Sequence, residues 1–374
     1  MDTILLSGGL AFLITFFSIP VIIKVAKDKK LFDEPDERKV HKAVVPTLGG
    51  LGIFAGFIIA KLLCAPATGS VLQYFIAAIL VIFFMGIKDD ILILTASKKF
   101  IGQLVAAGVL IGLGGIEITN MYGFLGLHAI PPVASILLTL FTIVVITNSF
   151  NLIDGVDGLA GSLGLLTSSL FGLYFFFTGQ VLFAVMALSL AGSLIAYLIY
   201  NFYPAKIFMG DTGSLLIGLL NSIFVIKFIS VASNADHGIF LESAPAIGFA
   251  ILIIPLFDTL RVVGLRILNR RSPFSPDRNH IHHFLLELGL SHKTISLTCV
   301  GANILFIALA YFLRFSGTTV VILALSGTAI FIVAIIYYNR PKIKMPSITE
   351  EPKKEIVIKS HTIFTLAGEP VGQD

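Results

Sequence analysis

The sequence predicts an all-α, polytopic integral membrane protein of about eleven transmembrane helices, with its N-terminus outside and its C-terminus cytoplasmic. Three observations carry this. The 374 residues are 56% hydrophobic. Only 13% are charged, and the mean hydropathy is +0.96, whereas soluble domains carry roughly 25% charged residues. The lysines and arginines concentrate in alternate loops. A soluble enzyme is thereby excluded, the net charge of +4 matters less than where the charges sit, and no nucleic-acid partner is expected. Cys64 and Cys299 both fall in apolar runs with no metal-ligand spacing, as buried small hydrophobes do.

A spanning helix needs about 20 mostly apolar residues. Such runs lie near 3–23, 47–65, 71–87, 100–116, 132–150, 159–177, 182–200, 212–230, 243–264, 295–313 and 319–338. The first has no basic stretch before it and no cleavage site after it, so it reads as a retained span rather than a removed signal. The run at 71–87 is at the lower limit of length.

Orientation follows from the basic residues. Segments 24–46, 88–99, 151–158, 201–211, 265–294 and 339–374 together hold 22 of the 26 lysines and arginines, and the loops between them on the other side hold none. The positive-inside rule makes the basic side cytoplasmic. Lys61, Lys227, Arg261 and Arg314 fall within or at the edges of spans, and the two lysines are expected to reach for an interface. Residues 1–338 thus form a transmembrane domain with cytoplasmic catalytic loops. Residues 339–374, charged and interrupted by Pro346 and Pro352, form a cytoplasmic tail. No repeat of fixed period is present.

With this topology the unusual polar motifs share one face, at five stations. RKVHKAVVPTLGG, Arg38 to Gly50, places His41 and Lys42 ahead of the second span. They are donors for an anion at the membrane surface, or plain positive-inside charge. Asp89-Asp90 closes the third span, with Lys98 and Lys99 following. Adjacent carboxylates relieved by a cation suit a hard metal ion and phosphates, or a solvated loop.

The third station, Asn151-Leu-Ile-Asp154-Gly-Val-Asp157-Gly158, is the most informative. Carboxylates at the edge of hydrocarbon are costly to hold there and usually have a partner and a task. With Asn148, these residues recur at a spacing of three, which on a helix puts neighbours on nearly one face. The plainer alternative, Asp157 capping the sixth span, explains one acid and leaves the others over.

The fourth is Phe208-Met-Gly-Asp211-Thr-Gly-Ser214. Asp211 opens a span where free N–H groups favour anions, so it either caps the helix or holds a metal beside phosphates. Phe208 is placed to stack on a base, or is one interfacial Phe among 32. The fifth, RRSPFSPDRNHIHHF, carries Arg271, Arg278, His280, His282 and His283. Without a matching Cys or distant His this is a weak zinc pattern, and the interleaved arginines better suit a diphosphate. Asp258 and Arg261, one or two turns earlier, are placed to pair with each other.

Carboxylates for a metal, cations for phosphates and an aromatic for a base point to a nucleotide-containing substrate, and their place at a membrane face points to a lipid co-substrate. NLIDGVDGLAGS, FMGDTGSLLIG, SPFSPDRNHIHH, RKVHKAVVPTLGG and the Asp-Asp pair resemble, in order, the polyprenyl-phosphate N-acetylhexosamine-1-phosphate transferases of glycosyltransferase family 4. The likeness covers about residues 1–338. The His-Ile-His-His form is similar to the branch acting on UDP-N-acetylglucosamine, not to the peptidoglycan branch with its three consecutive histidines.

The resemblance implies a reaction: UDP-N-acetylglucosamine and undecaprenyl phosphate give undecaprenyl diphosphate N-acetylglucosamine and UMP. This would be the first membrane step of a cell-envelope glycan, at the bacterial cytoplasmic membrane with the active site facing the cytoplasm. It also implies magnesium, with manganese an alternative, and a homodimer. By the same likeness Asp211 and Asp154 are metal ligands. Asp89, Asp90, Asp154, Asp157, His280, His282 and His283 are catalytic. His41, Lys42, Lys99, Asn151, Phe208, Arg271 and Arg278 bind substrate. Many relatives have a third acid where Ile93 stands, which removes a three-carboxylate site at that station. Another UDP-N-acetylhexosamine, or UDP-N-acetylmuramoyl-pentapeptide, is the alternative donor. Direct displacement and a covalent phospho-aspartate are both open as mechanisms. The alternative of another class is a secondary transporter for an anionic solute.

Overall fold

A computed structural model describes residues 2–29, 45–65, 71–92, 94–234, 239–272 and 279–340. Met1–Arg340 forms one compact unit. Residues 341–374 lie outside the described residues, as does Ile93.

Among the described residues the regular structure is helical, with an isolated bridge, Asn120 to Ala129, outside the helices. The helices are α1 (Asp2–Asp28), α2 (Gly49–Cys64), α3 (Val71–Leu92), α4 (Ala96–Gly112), α5 (Pro132–Ile153), α6 (Leu159–Phe177) and α7 (Val181–Asn201). They continue with α8 (Gly210–Ala232), α9 (Ala244–Ile251), α10 (Ile253–Leu268), α11 (Ile281–Glu287), α12 (His292–Leu313) and α13 (Thr318–Tyr338). Helix satisfies every backbone polar group within the segment, as hydrocarbon requires. Start signals are local. Pro132 opens α5, where its missing N–H is no loss, and Ser291 caps α12 by accepting from the Thr294 N–H at 3.2 Å.

Every predicted apolar run is helical. Among the described residues eight helices are long and apolar enough to cross a membrane, or nine when α9 and α10, bent by 84° at Leu252, count as one span. α2 and α4, at 16 and 17 residues, fall outside that count, so the eleven-span expectation is met in part.

α8 is the hub. It packs on α2, α3, α5, α6 and α9, and nearly all of its residues are buried. Lipid tails are as apolar as leucine, so close approach of small residues drives such packing. An added Cβ at Gly50 of α2 would lie 2.1 Å from the Gly213 nitrogen, and one at Gly86 of α3 would lie 2.5 Å from Thr212 Cα. These contacts press α2 and α3 onto the first turn of α8. Lys61 does not reach an interface: it is fully buried, and its ammonium has no hydrogen-bond partner among the described residues. Lys227 is half-buried, its ammonium 5.2 Å from the centroid of the Phe183 ring.

Candidate active site

The first turn of α8 is held from outside. The free N–H groups of a helix start need acceptors, and Asp90 at the end of α3 supplies them. Its Oδ1 accepts from the Asp211 N–H at 2.6 Å. Its Oδ2 accepts from the Thr212 N–H at 3.1 Å and the Thr212 hydroxyl at 2.5 Å. Both oxygens of Asp90 are thus engaged in positioning Asp211. Residues 46–50 pair with 208–209: the Phe208 N–H donates to the Pro46 carbonyl at 2.7 Å, and the Gly49 N–H donates to the Phe208 carbonyl at 2.9 Å.

Asp211 then faces a cation. Lys99, in the first turn of α4, bridges Asp211 and Asp89 with its ammonium. Asn151, in the last turn of α5, donates to Asp211 Oδ1 at 2.8 Å and to the Ser214 hydroxyl at 3.0 Å. Asp89 is buried, and its Oδ1 accepts from the Leu94 N–H at 2.5 Å. Two acids, one lysine and one amide from four helices therefore form one charge cluster.

The helix α5 ends at Ile153, so the spacing of three does not keep Asp154 and Asp157 on one face. Asp154 lines a cavity. Burial, then the charges of Asp211, Asp90 and Asp157, push its carboxyl up to about 8. Asp157 turns away and ties the loop down. Its Oδ2 accepts from the Ala205 N–H at 3.1 Å, and its carbonyl accepts from the Ser296 hydroxyl at 2.8 Å. His292 Nδ1 lies 3.4 Å from Asp157 Oδ1.

The histidines approach the same cavity from α11. An added Cβ at Gly155 would sit 2.6 Å from His282 Nε2, so only glycine admits the ring there. The His280 and His282 rings are parallel at 5.6 Å, and His283 follows at 4.3 Å from His282. Burial, with the neighbouring His283, holds the His282 imidazole down to about 3, so it is neutral at working pH. His280 is fixed by Asp258 of α10, whose Oδ2 is 2.8 Å from His280 Nδ1. The predicted Asp258–Arg261 pair forms at 2.8 Å.

These groups meet in a cavity of about 660 Å³ between α4, α5, α10 and α11. Its polar end presents Lys99, Asn151, Asp154, Arg266 and the three histidines. Its other wall is apolar, with Phe100, Phe141, Val144 and Val263. At the seam Gln103 and Asn148 are paired, Asn148 Nδ2 donating to Gln103 Oε1 at 2.7 Å. Sequence reasoning missed Gln103 and Arg266. The available signal was a lone polar side chain inside an apolar run.

Other expected residues sit elsewhere. Phe208 does not line this cavity. Arg271 is exposed and lines a second cavity, of about 300 Å³. His41, Lys42 and Arg278 lie outside the described residues.

Among the described residues no three His, Cys, Asp or Glu side chains gather as a metal site. Two carboxylates, Asp154 and Asp211, nonetheless suit a magnesium ion, which typically takes one or two carboxylates and completes its shell with phosphates and water. Asp154 lines the cavity near Asp211, Asp90 and Asp157, whose charges disfavour its ionised form, so a cation bound there would favour its carboxylate.

Comparison with known proteins decides the family. The model of Glycosyl transferase family 4 matches residues 72–229. The chain is 37% identical, over 78% of its length and 79% of the relative's, to a decaprenyl-phosphate N-acetylglucosaminephosphotransferase of Mycobacterium leprae. The protein belongs to glycosyl transferase family 4. Two other members are also similar. One is a probable undecaprenyl-phosphate N-acetylglucosaminyl 1-phosphate transferase of Bacillus subtilis, 33% identical over 76% of this chain and 78% of that one. The other is the undecaprenyl-phosphate alpha-N-acetylglucosaminyl 1-phosphate transferase of Salmonella typhi, 31% identical over 79% and 80%. The family match runs from α3 into α8, so it contains Asp89, Asp90, Lys99, Asn151, Asp154 and Asp211. The α11 histidines lie beyond it and within the same cavity.

Proposed function

We propose that this family member transfers N-acetylglucosamine 1-phosphate from UDP-N-acetylglucosamine to undecaprenyl phosphate. The products are undecaprenyl diphosphate N-acetylglucosamine and UMP. One observation carries the reading: a single cavity has two cations, the Asp154 carboxylate and three histidines at one end and an aliphatic and aromatic wall at the other. That shape suits a phosphate joined to an isoprenoid chain. The three relatives are named for transfer of N-acetylglucosamine phosphate to a polyprenyl phosphate, decaprenyl in one and undecaprenyl in two, which supports the reading.

The chemistry is a phosphoryl transfer. An oxygen of the lipid phosphate attacks the β-phosphorus of the UDP-sugar. The bond from that phosphorus to the bridging oxygen breaks, and UMP leaves with the oxygen and the electron pair. The lipid phosphate is already anionic, so no base is needed to form the nucleophile. Lys99 and Arg266 offset charge on the reacting phosphates. His280, held by Asp258, presents its other ring nitrogen as a donor or acceptor to the diphosphate. His282, neutral, completes the wall against Gly155. Asp211 and Asp154 would hold a magnesium ion, which when bound neutralises phosphate charge.

The test is transfer of radiolabelled sugar phosphate into an organic-extractable lipid by purified protein. Label should appear in the lipid only with UDP-N-acetylglucosamine, undecaprenyl phosphate and magnesium all present. Transfer from other UDP-sugars alone would replace the donor, and decaprenyl phosphate at equal rate would widen the acceptor.

A further inference from the structure

Two ladders of side chains descend into the cavity from its charged end. On α4, Lys99 is followed one turn later by Gln103. On α5, counted back from its end, Asn151 is followed by Asn148, then by Val144 and Phe141. Spacings of three and four keep each ladder on one helix face, and one turn is a step of roughly 5 Å. The cavity therefore changes in three levels: a lysine and an amide, then two amides, then an apolar wall.

The middle level is Gln103 and Asn148, one from each helix. Asn148 Nδ2 donates to Gln103 Oε1 at 2.7 Å and to the Val144 carbonyl at 2.8 Å, which uses both of its hydrogens. Gln103 is buried, and its Nε2 donates once, to Asn148 Oδ1 at 3.3 Å. Its second N–H has no acceptor among the described residues. Amide pairs between spans can serve as glue, at a modest gain each. Polar groups inside spans also mark the path of a polar ligand. Position favours the second role here. Glue serves anywhere along α4 and α5, whereas this pair lines the cavity between charge and hydrocarbon and has one donor over.

We propose that the Gln103–Asn148 pair seats the acceptor phosphate, the second N–H of Gln103 donating to one of its oxygens. This rests on the polyprenyl phosphate acceptor proposed above and adds which residues set its depth. Such a lipid changes from anion to hydrocarbon across one ester bond, and the cavity makes the same change at this level. Lys99 stands one turn above to offset the phosphate charge. Val144 and Phe141 stand below for the first isoprene units. A nucleotide sugar is polar along its whole length, so it belongs at the charged end and not against that wall. Asn148 is the positioning residue: by engaging Gln103 Oε1 it fixes which edge of the amide is left to donate.

The experiment uses the full chain. Undecaprenyl phosphate or undecaprenol is added without nucleotide sugar, and bound lipid is measured by native mass spectrometry. KM for each substrate is measured separately. Gln103→Met should weaken undecaprenyl phosphate binding and raise its KM, each roughly tenfold, as loss of one hydrogen bond to a charged group does. Undecaprenol binding and KM for UDP-N-acetylglucosamine should stay within about twofold. Exchanging the amides, Gln103→Asn with Asn148→Gln, should recover part of the affinity that Gln103→Asn alone loses. If Gln103→Met does not fold, that amide series carries the test. Equal loss of undecaprenol makes the pair a packing surface for the chain, and an equal rise in both KM values makes it a support for the whole cavity; either overturns the proposal. So does a lower unfolding midpoint with acceptor binding unchanged, the mark of a pair that only joins two helices. Wild-type protein that binds no undecaprenyl phosphate overturns the acceptor itself. Wild-type protein that binds it no better than Gln103→Met overturns this inference alone.

Discussion

Asp258 Oδ2 lies 2.8 Å from His280 Nδ1 in a buried pair, and Asp258 Oδ1 accepts from the Ile281 N–H at 3.0 Å and from Arg261 at 2.8 Å. One carboxylate thus sets the ring of His280, the start of α11 and the direction of Arg261. An imidazole held this way keeps one tautomer, with its second nitrogen free for substrate. Asp258→Asn should lower kcat roughly 10- to 100-fold, the usual effect of losing an orienting carboxylate. KM for the nucleotide sugar should change less, and Asp258→Glu should recover part of the rate. Steady-state kinetics on the three proteins check this; equal kcat in wild type and Asp258→Asn would refute it.

Lys99 is the bridge between Asp89 and Asp211. Removing its charge leaves two acids facing each other and takes a cation from the phosphates. Lys99→Met should reduce transfer roughly 100-fold. Lys99→Arg should restore only part, because a planar guanidinium cannot reproduce a compact ammonium between two carboxylates. Initial rates of lipid labelling measure both.

The glycine contacts make a stability prediction with an internal control. At Gly50 a methyl group would lie 2.1 Å from a backbone nitrogen, which cannot move aside as a side chain could. Gly50→Ala should destabilise by about 1–3 kcal/mol, the range for overpacking. Gly108→Ala, in the middle of α4 with nothing within 4 Å, should be neutral or stabilising by about 0.5–1 kcal/mol. Thermal unfolding in detergent compares the two.

His282 gives a pH signature. Its folded value, about 3, is below the ordinary histidine value of 6.5, so the unfolded chain binds the proton first. Stability from this residue is complete above pH 6.5 and is lost as pH falls from there toward 3. At pH 5 the loss amounts to about 2 kcal/mol. His282→Gln cannot take up the proton, so its unfolding midpoint should fall less than wild type between pH 7 and pH 5. Parallel slopes would show that His282 is not held neutral.

Much of this was legible in the sequence. The apolar runs located every long helix, because hydrocarbon demands a continuous stretch of apolar residues with internal hydrogen bonds. The acids and histidines stood out because such residues are rare in spans. The division of labour among the acids was not legible. Asp89 and Asp90 are neighbours in sequence, yet one meets Lys99 and the other caps α8. Asp154 and Asp157 part company because α5 stops at Ile153. Lys61 broke the expectation of an interface lysine, since only packing reveals what surrounds a side chain.

The sequence by itself determined the class of protein, the helical runs and the set of chemically competent residues, since all of these follow from composition and local pattern. Only the tertiary structure decided which residues share a cavity. Lys99, Asn151, Arg266 and the three histidines come from α4, α5, α10 and α11, separated by up to 184 positions along the chain. Their meeting depends on how close α2, α3 and α5 come to α8. That distance is set by glycine contacts and by Asp90 at the first turn, which are properties of packing and not of any one segment.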